Sequence, residues 1–101
     1  LMISTRVATV EEIARYLLEI AEDKSVFRRM WTHQTGEVAE IWIMTEPIDV
    51  ETEKRIHGLG RELYKKFPNT LFDVRLLNLR LSDSPDLSFL VPRNAKLFNM
   101  H

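Results

Sequence analysis

Apolar and polar residues follow two rhythms along this chain, and the switches between them mark its elements. Val10, Ile13, Ala14, Leu17, Leu18 and Ala21 recur at helical spacing and predict a helix over 9–24. Thr9-Val10-Glu11-Glu12 opens it as a capping box, with the Thr9 hydroxyl placed to accept from the Glu12 amide. Residues 26–34 and 37–46 alternate with period two and predict two strands, joined as a hairpin at Thr35-Gly36. Ile56, Leu59, Leu63 and Phe67 return to helical spacing, so a second helix is predicted over 49–67. Asp49 suits its N-cap and Pro68 ends it. Gly60 falls on the apolar stripe and reads as a point of close approach between helix and sheet. A third strand spans 70–82. Phe72, Val74 and Leu76 alternate in one phase, then Leu77, Leu79 and Leu81 in the other, which predicts a bulge or a strand buried on both faces. A loop rich in Ser, Asp and Pro covers 82–94, and a short strand closes the chain over 95–100.

The order αββαββ predicts an α+β fold, with a four-stranded, mainly antiparallel sheet and two helices on one face. Moving the last strand to the front gives the ferredoxin-like order, so the expected arrangement is a permuted ferredoxin-like plait. The 95–100 strand would then lie between the 37–46 and 70–82 strands. A sequential mixed sheet, with the 37–46 and 70–82 strands parallel, is the alternative. The length of 101 residues predicts one domain, 1–101.

A two-residue loop at Thr35-Gly36 sets opposite one another residues whose numbers sum to about 71. One hairpin face then carries Val26, Arg28, Met30 and Thr32 beside Ala39, Ile41, Ile43 and Thr45, which suits helix packing. The other carries Phe27, Arg29, Trp31 and His33 beside Val38, Glu40, Trp42 and Met44. Two helices shelter one side of a sheet, so this second face is expected to stand open. An apolar patch of this kind on a small protein marks a contact surface, and Trp and Met are enriched at interface cores. Phe27, Arg29, Trp31, Val38, Glu40, Trp42 and Met44 are therefore the expected binding residues. The expected partner is a second copy of the chain across a two-fold axis. The competing expectation is that the first helix or the 82–94 loop covers this face from within.

Composition narrows the function further. Lys and Arg number 14 against 15 Asp and Glu, for a net charge of −1, which excludes a basic nucleic-acid arm and an acidic tail. The absence of cysteine excludes disulfides, thiolate zinc sites and cysteine nucleophiles, and accords with a cytosolic home. No apolar run approaches the roughly 20 residues of a membrane helix. Leu1 reads as a cloning remnant with Met2 near the true start, and no secretory signal pattern follows. His33 and His57 lack partners at metal-typical spacing, so no metal or cofactor is expected. No phosphate loop or nucleophile elbow supports catalysis. Phe27, Trp31 and Trp42 interleaved with Arg28 and Arg29 have the chemistry to stack on single-stranded RNA. The net charge and the lack of an RNP pattern argue against it. Within the assumed register Arg29 faces Trp42 as a cation–π pair and Glu40 lies diagonal to Arg29 as an ion pair. Asp73 is expected to share a sheet face with Arg75, and cross-strand pairing is the expected explanation of such charges. The reading is a non-catalytic interaction module that self-associates through an apolar sheet face. Its alternative is a pocket of Trp31, Trp42, Met44 and Glu40 for an apolar or cationic small molecule.

Overall fold

The computed structural model describes residues 7–101; the expectation for Leu1 and Met2 lies outside them. The elements are α1 (Val10–Ile20), β1 (Phe27–Thr35), β2 (Val38–Thr45), α2 (Val50–Gly58), α3 (Gly60–Lys66), β3 (Leu71–Asn78) and β4 (Lys96–Phe98). Short 3-10 turns occupy Lys24–Val26, Leu79–Leu81 and Ser88–Leu90. Thr9 caps α1 by accepting from the Glu12 amide at 3.1 Å, and Asp49 caps α2 by accepting from the Thr52 amide at 2.8 Å.

The architecture is α+β with a four-stranded mixed sheet in the order β3-β2-β1-β4. β1 pairs antiparallel with β2 and β4, while β2 and β3 run parallel. This corrects the mainly antiparallel plait: β4 lies on the far edge beside β1, not between β2 and β3. The parallel β2/β3 pair belonged to the alternative arrangement, and the α2–α3 segment is the crossover that such a pair requires. With only three paired residues, β4 carries too little pattern to choose its edge from the sequence.

The hairpin turns at Gly36-Glu37, one residue later than expected, so opposing residues run from Thr35 and Val38 to Met30 and Ile43. Gly36 takes φ +58° and Glu37 does not share that sign, the pattern of a type II′ turn with glycine first. Sliding the loop by one residue changes each partner by two, so both predicted faces survive from Arg29 onward. Phe27 does not. The register shifts between Phe27 and Arg29, and this bulge carries Phe27 into the core beneath the helices.

That core holds Ile13, Leu17, Met30, Ile41, Ile43 and Leu63, each essentially inaccessible, with Phe27 and Ile56. The second helix is broken rather than continuous. Leu59 separates α2 from α3, and its amide bonds back to Ile56 at 3.1 Å, a three-residue span that tightens the turn. Gly60 makes no close approach: a Cβ built there meets nothing within 4 Å, and the same holds at Gly58. Neither residue has positive φ. Gly60→Ala is therefore expected to stabilise the fold by roughly 0.5–1 kcal/mol, read as a raised urea midpoint with an unchanged slope. A lowered midpoint would show that the break at Leu59 needs glycine.

β3 resolves the phase switch. It ends at Asn78 without a bulge against β2, and Phe72, Val74 and Leu76 pack under the helices. Leu77 and Leu79 pack on the opposite side, so the end of the strand is buried on both faces. Buried Asn78 fastens this end. Its side chain accepts from the Ile48 amide at 3.2 Å and the Arg80 amide at 3.0 Å, and donates to the Ile48 carbonyl at 2.9 Å. Its register partner Thr45 is fully buried, with no hydrogen-bond partner for the hydroxyl among the described residues.

Candidate functional site

The face away from the helices is the surface singled out by the sequence, and it divides into two halves. In the first, Trp31, Met44 and Leu77 form a cluster with Leu79 and Leu87, bordered by Val91 and Ala95. Residues 79–95 thus fold back over the sheet as a cover. Trp31 keeps 8% of its surface exposed and Met44 3%. The Leu87 amide donates to the Met44 Sδ at 3.3 Å, and an Arg28 Nη1 donates to the Pro85 carbonyl at 3.4 Å. Ser88 holds the Asp86 carboxyl below its usual range through its backbone and hydroxyl, with Arg29 and Arg28 adding a weaker pull. The premise that nothing of the chain's own shelters Trp31 and Met44 is corrected. The signal was present: Leu79, Leu87 and Val91 punctuate a segment otherwise rich in Ser, Asp and Pro.

The second half is polar, and its His33 and Glu40 side chains keep 13% and 14% of their surface exposed. His33 and Glu40 are register partners across the hairpin, and His33 Nδ1 lies 2.6 Å from a Glu40 carboxylate oxygen. The Trp42 Nε1 donates to the same oxygen at 3.3 Å. The Arg75 guanidinium sits 5.4 Å from the Trp42 ring centroid, and its Nε donates to Asp73 at 2.8 Å. Thr35, His33, Glu40, Trp42, Arg75 and Asp73 therefore form one connected row across three strands. Val38 stands beside it, half-buried.

Two expected pairings are replaced. Arg29 opposes Met44, so the cation over Trp42 is Arg75. Glu40 opposes His33, so it has no part in an ion pair with Arg29. Asp73 and Arg75 pair with one another along β3, not across strands. Of the seven expected binding residues, the structure keeps Arg29, Val38, Glu40 and Trp42 accessible or half-buried, sequesters Trp31 and Met44 under the cover, and moves Phe27 to the core.

The chemistry of the row follows from its bonds. The hydrogen bond from His33 is the main cause that holds the Glu40 carboxyl below its ordinary value of 4.5, against an opposing push from burial. A depressed carboxyl stabilises the fold above its unfolded-state value, and the contribution fades as pH falls through the folded-state value. Glu40→Gln should therefore destabilise most at neutral pH. Its deficit against the parent should shrink as the pH drops below 4.5, measured by urea unfolding at a series of pH values. A deficit that stays constant with pH would mean that the carboxylate charge has no role. Where a cationic ligand was expected, His33 and Trp42 engage one Glu40 carboxylate oxygen and the Arg75 guanidinium attends the Trp42 ring.

No protein-family model, curated protein or solved structure matches this chain. Functional reading therefore rests on its own geometry. The space over Trp31 and Met44 is filled by Leu79 and Leu87. Two clefts lie elsewhere among the described residues. One, of about 230 Å³, is lined by residues including Ala8, Phe67 and Thr70. The other, of about 620 Å³, lies between the 21–27 segment and α2, and its lining includes Phe27, Ile48, Ile56, Leu59, Arg55 and Asp23. No helix among the described residues is long and apolar enough to cross a membrane.

Proposed function

We propose that the chain is a non-catalytic interaction module of the cytosol that works as a homodimer, using the margin of its sheet and not the centre of the outer face. The observation that supports this reading is the distribution of apolar surface. The centre is satisfied internally by the 79–95 cover, whereas Leu71 on β3 is 55% exposed and Leu97 on β4 is 67% exposed. Phe72, Val74 and Leu76 of the edge strand β3 are only half-buried under the helices. An exposed edge with an apolar flank is a ready surface for a second chain. Lack of cysteine accords with a reducing compartment.

Sedimentation velocity over a dilution series tests it. The expected result is a particle of twice 11.9 kDa that Trp42→Glu leaves unchanged, since Trp42 lies inside the sheet's margin. A particle of one chain at every concentration removes the reading. The small-molecule alternative now attaches to the 620 Å³ cleft, whose size suits a small ligand. A compound that raises the melting temperature of the parent but not of Ile56→Trp would place it there.

A further inference from the structure

We propose that two copies pair through the free edges of their β3 strands, antiparallel and centred on Val74, to form one continuous eight-stranded sheet. The proposal rests on the self-association reading above and names its surface. β3 is bonded to β2 along its whole length, from Leu71 to Asn78, without a bulge. Its other side is the edge of the sheet, and no backbone partner is found there among the described residues. Natural edges are blunted by proline, a bulge, charged side chains, a covering segment or shortness. The opposite edge uses the last device, since β4 spans only Lys96–Phe98. β3 spans eight residues with neither proline nor bulge, and its two charges, Asp73 and Arg75, are of opposite sign and so complement a second copy instead of repelling it.

The sequence of β3 is self-complementary. Leu71-Phe72-Asp73-Val74-Arg75-Leu76-Leu77 reads as a palindrome about Val74 in which apolar answers apolar and acid answers base. Residues equidistant from Val74 share parity and therefore share a face. On the helix side, Phe72 of one copy meets Leu76 of the other, and the two Val74 side chains meet. On the outer side, Leu71 meets Leu77, and Asp73 meets Arg75 twice, once in each direction.

The charges select this register. A shift of two residues either way sets Asp73 against Asp73 or Arg75 against Arg75, and like charges directly opposite on a sheet are destabilising. The pair is free to exchange partners, because its side chains are 52% and 44% exposed within one chain. The helix-side residues also have surface left to bury. Phe72, Val74 and Leu76 are half-buried, and exposed Tyr64 stacks on Phe72 with ring centroids 4.4 Å apart. An isologous contact of this kind closes after two copies, and the short β4 edge offers little for further growth.

The test uses the full chain and two single variants in sedimentation velocity. Asp73→Arg alone sets Arg against Arg in the dimer, and Arg75→Asp alone sets Asp against Asp. Each should weaken dimerisation about tenfold or more while keeping the parent's far-ultraviolet circular dichroism spectrum, because both side chains are exposed and the fold of one copy does not depend on them. An equimolar mixture of the two variants restores acid opposite base at both places and should recover the parent's mass. If the parent is dimeric but the variants dimerise equally well alone, or their mixture stays monomeric, this interface is wrong and self-association uses another surface. If the parent is monomeric at every concentration, the proposal and the functional reading fall together.

Discussion

Trp31→Ala is expected to cost about 3–5 kcal/mol of folding stability, the usual range for removing a large buried aromatic. Trp31 lies under Leu79 and Leu87 with 8% of its surface exposed, so truncation empties the middle of the second core cluster. The surrounding cover is poorly placed to collapse into the void, because it consists of short 3-10 turns joined by loop. Its loosening should appear separately, as faster proteolysis within 82–94 than in the parent. Trp42→Ala should cost distinctly less, since Trp42 is only half-buried and borders that cluster. Urea unfolding of both variants decides the matter. Equal costs, or a cost below about 1 kcal/mol at Trp31, would mean that the cover is not packed against the sheet.

Asn78→Ala is the second large effect, expected at about 2–5 kcal/mol. One buried side chain satisfies both the amide and the carbonyl of Ile48 and also caps the turn at Arg80. Each buried backbone group left unpaired costs about 1–3 kcal/mol. The position couples distant parts of the chain, since Ile48 precedes α2 and Asn78 ends β3. Asn78→Asp should recover only part of the loss, because a carboxylate accepts from the Ile48 amide but does not donate to its carbonyl. Thermal and urea unfolding of the pair measure the difference. An alanine variant as stable as the parent would show that water replaces the clamp.

Much of the hairpin was legible because period two is robust. The loop moved by one residue, yet Met30, Ala39, Ile41 and Ile43 stayed on the helix side and Trp31, Trp42 and Met44 on the other. Phe27 was misplaced because a bulge adds one residue without any composition signal, and one residue is enough to invert a face. Pairings across the strands were less legible than faces. His33 with Glu40 and Trp42 with Arg75 depend on the exact register and on which strand lies beside β2. The helix stripe of Ile56 and Leu63 was visible at its true burial, but the break at Leu59 was hidden beneath a continuous helical spacing. The edge chosen by β4 was not legible, since three residues alternate too briefly to specify a neighbour. The cover over Trp31 was legible in part: its apolar residues were in view, but irregular segments have no period that states which surface they meet. The palindrome of β3 was in plain sight and acquired meaning only when the strand proved to be an edge.

Concentration-dependent hydrogen exchange tests most directly whether the margin of the sheet, and not its covered face, meets a second copy. Amides within 71–78 should exchange more slowly as the protein is concentrated, while those of 79–95 and of β1 should be indifferent to concentration. Slowing confined to 79–95 or to the outer face of the hairpin, or no slowing anywhere in the chain, would contradict contact at the margin.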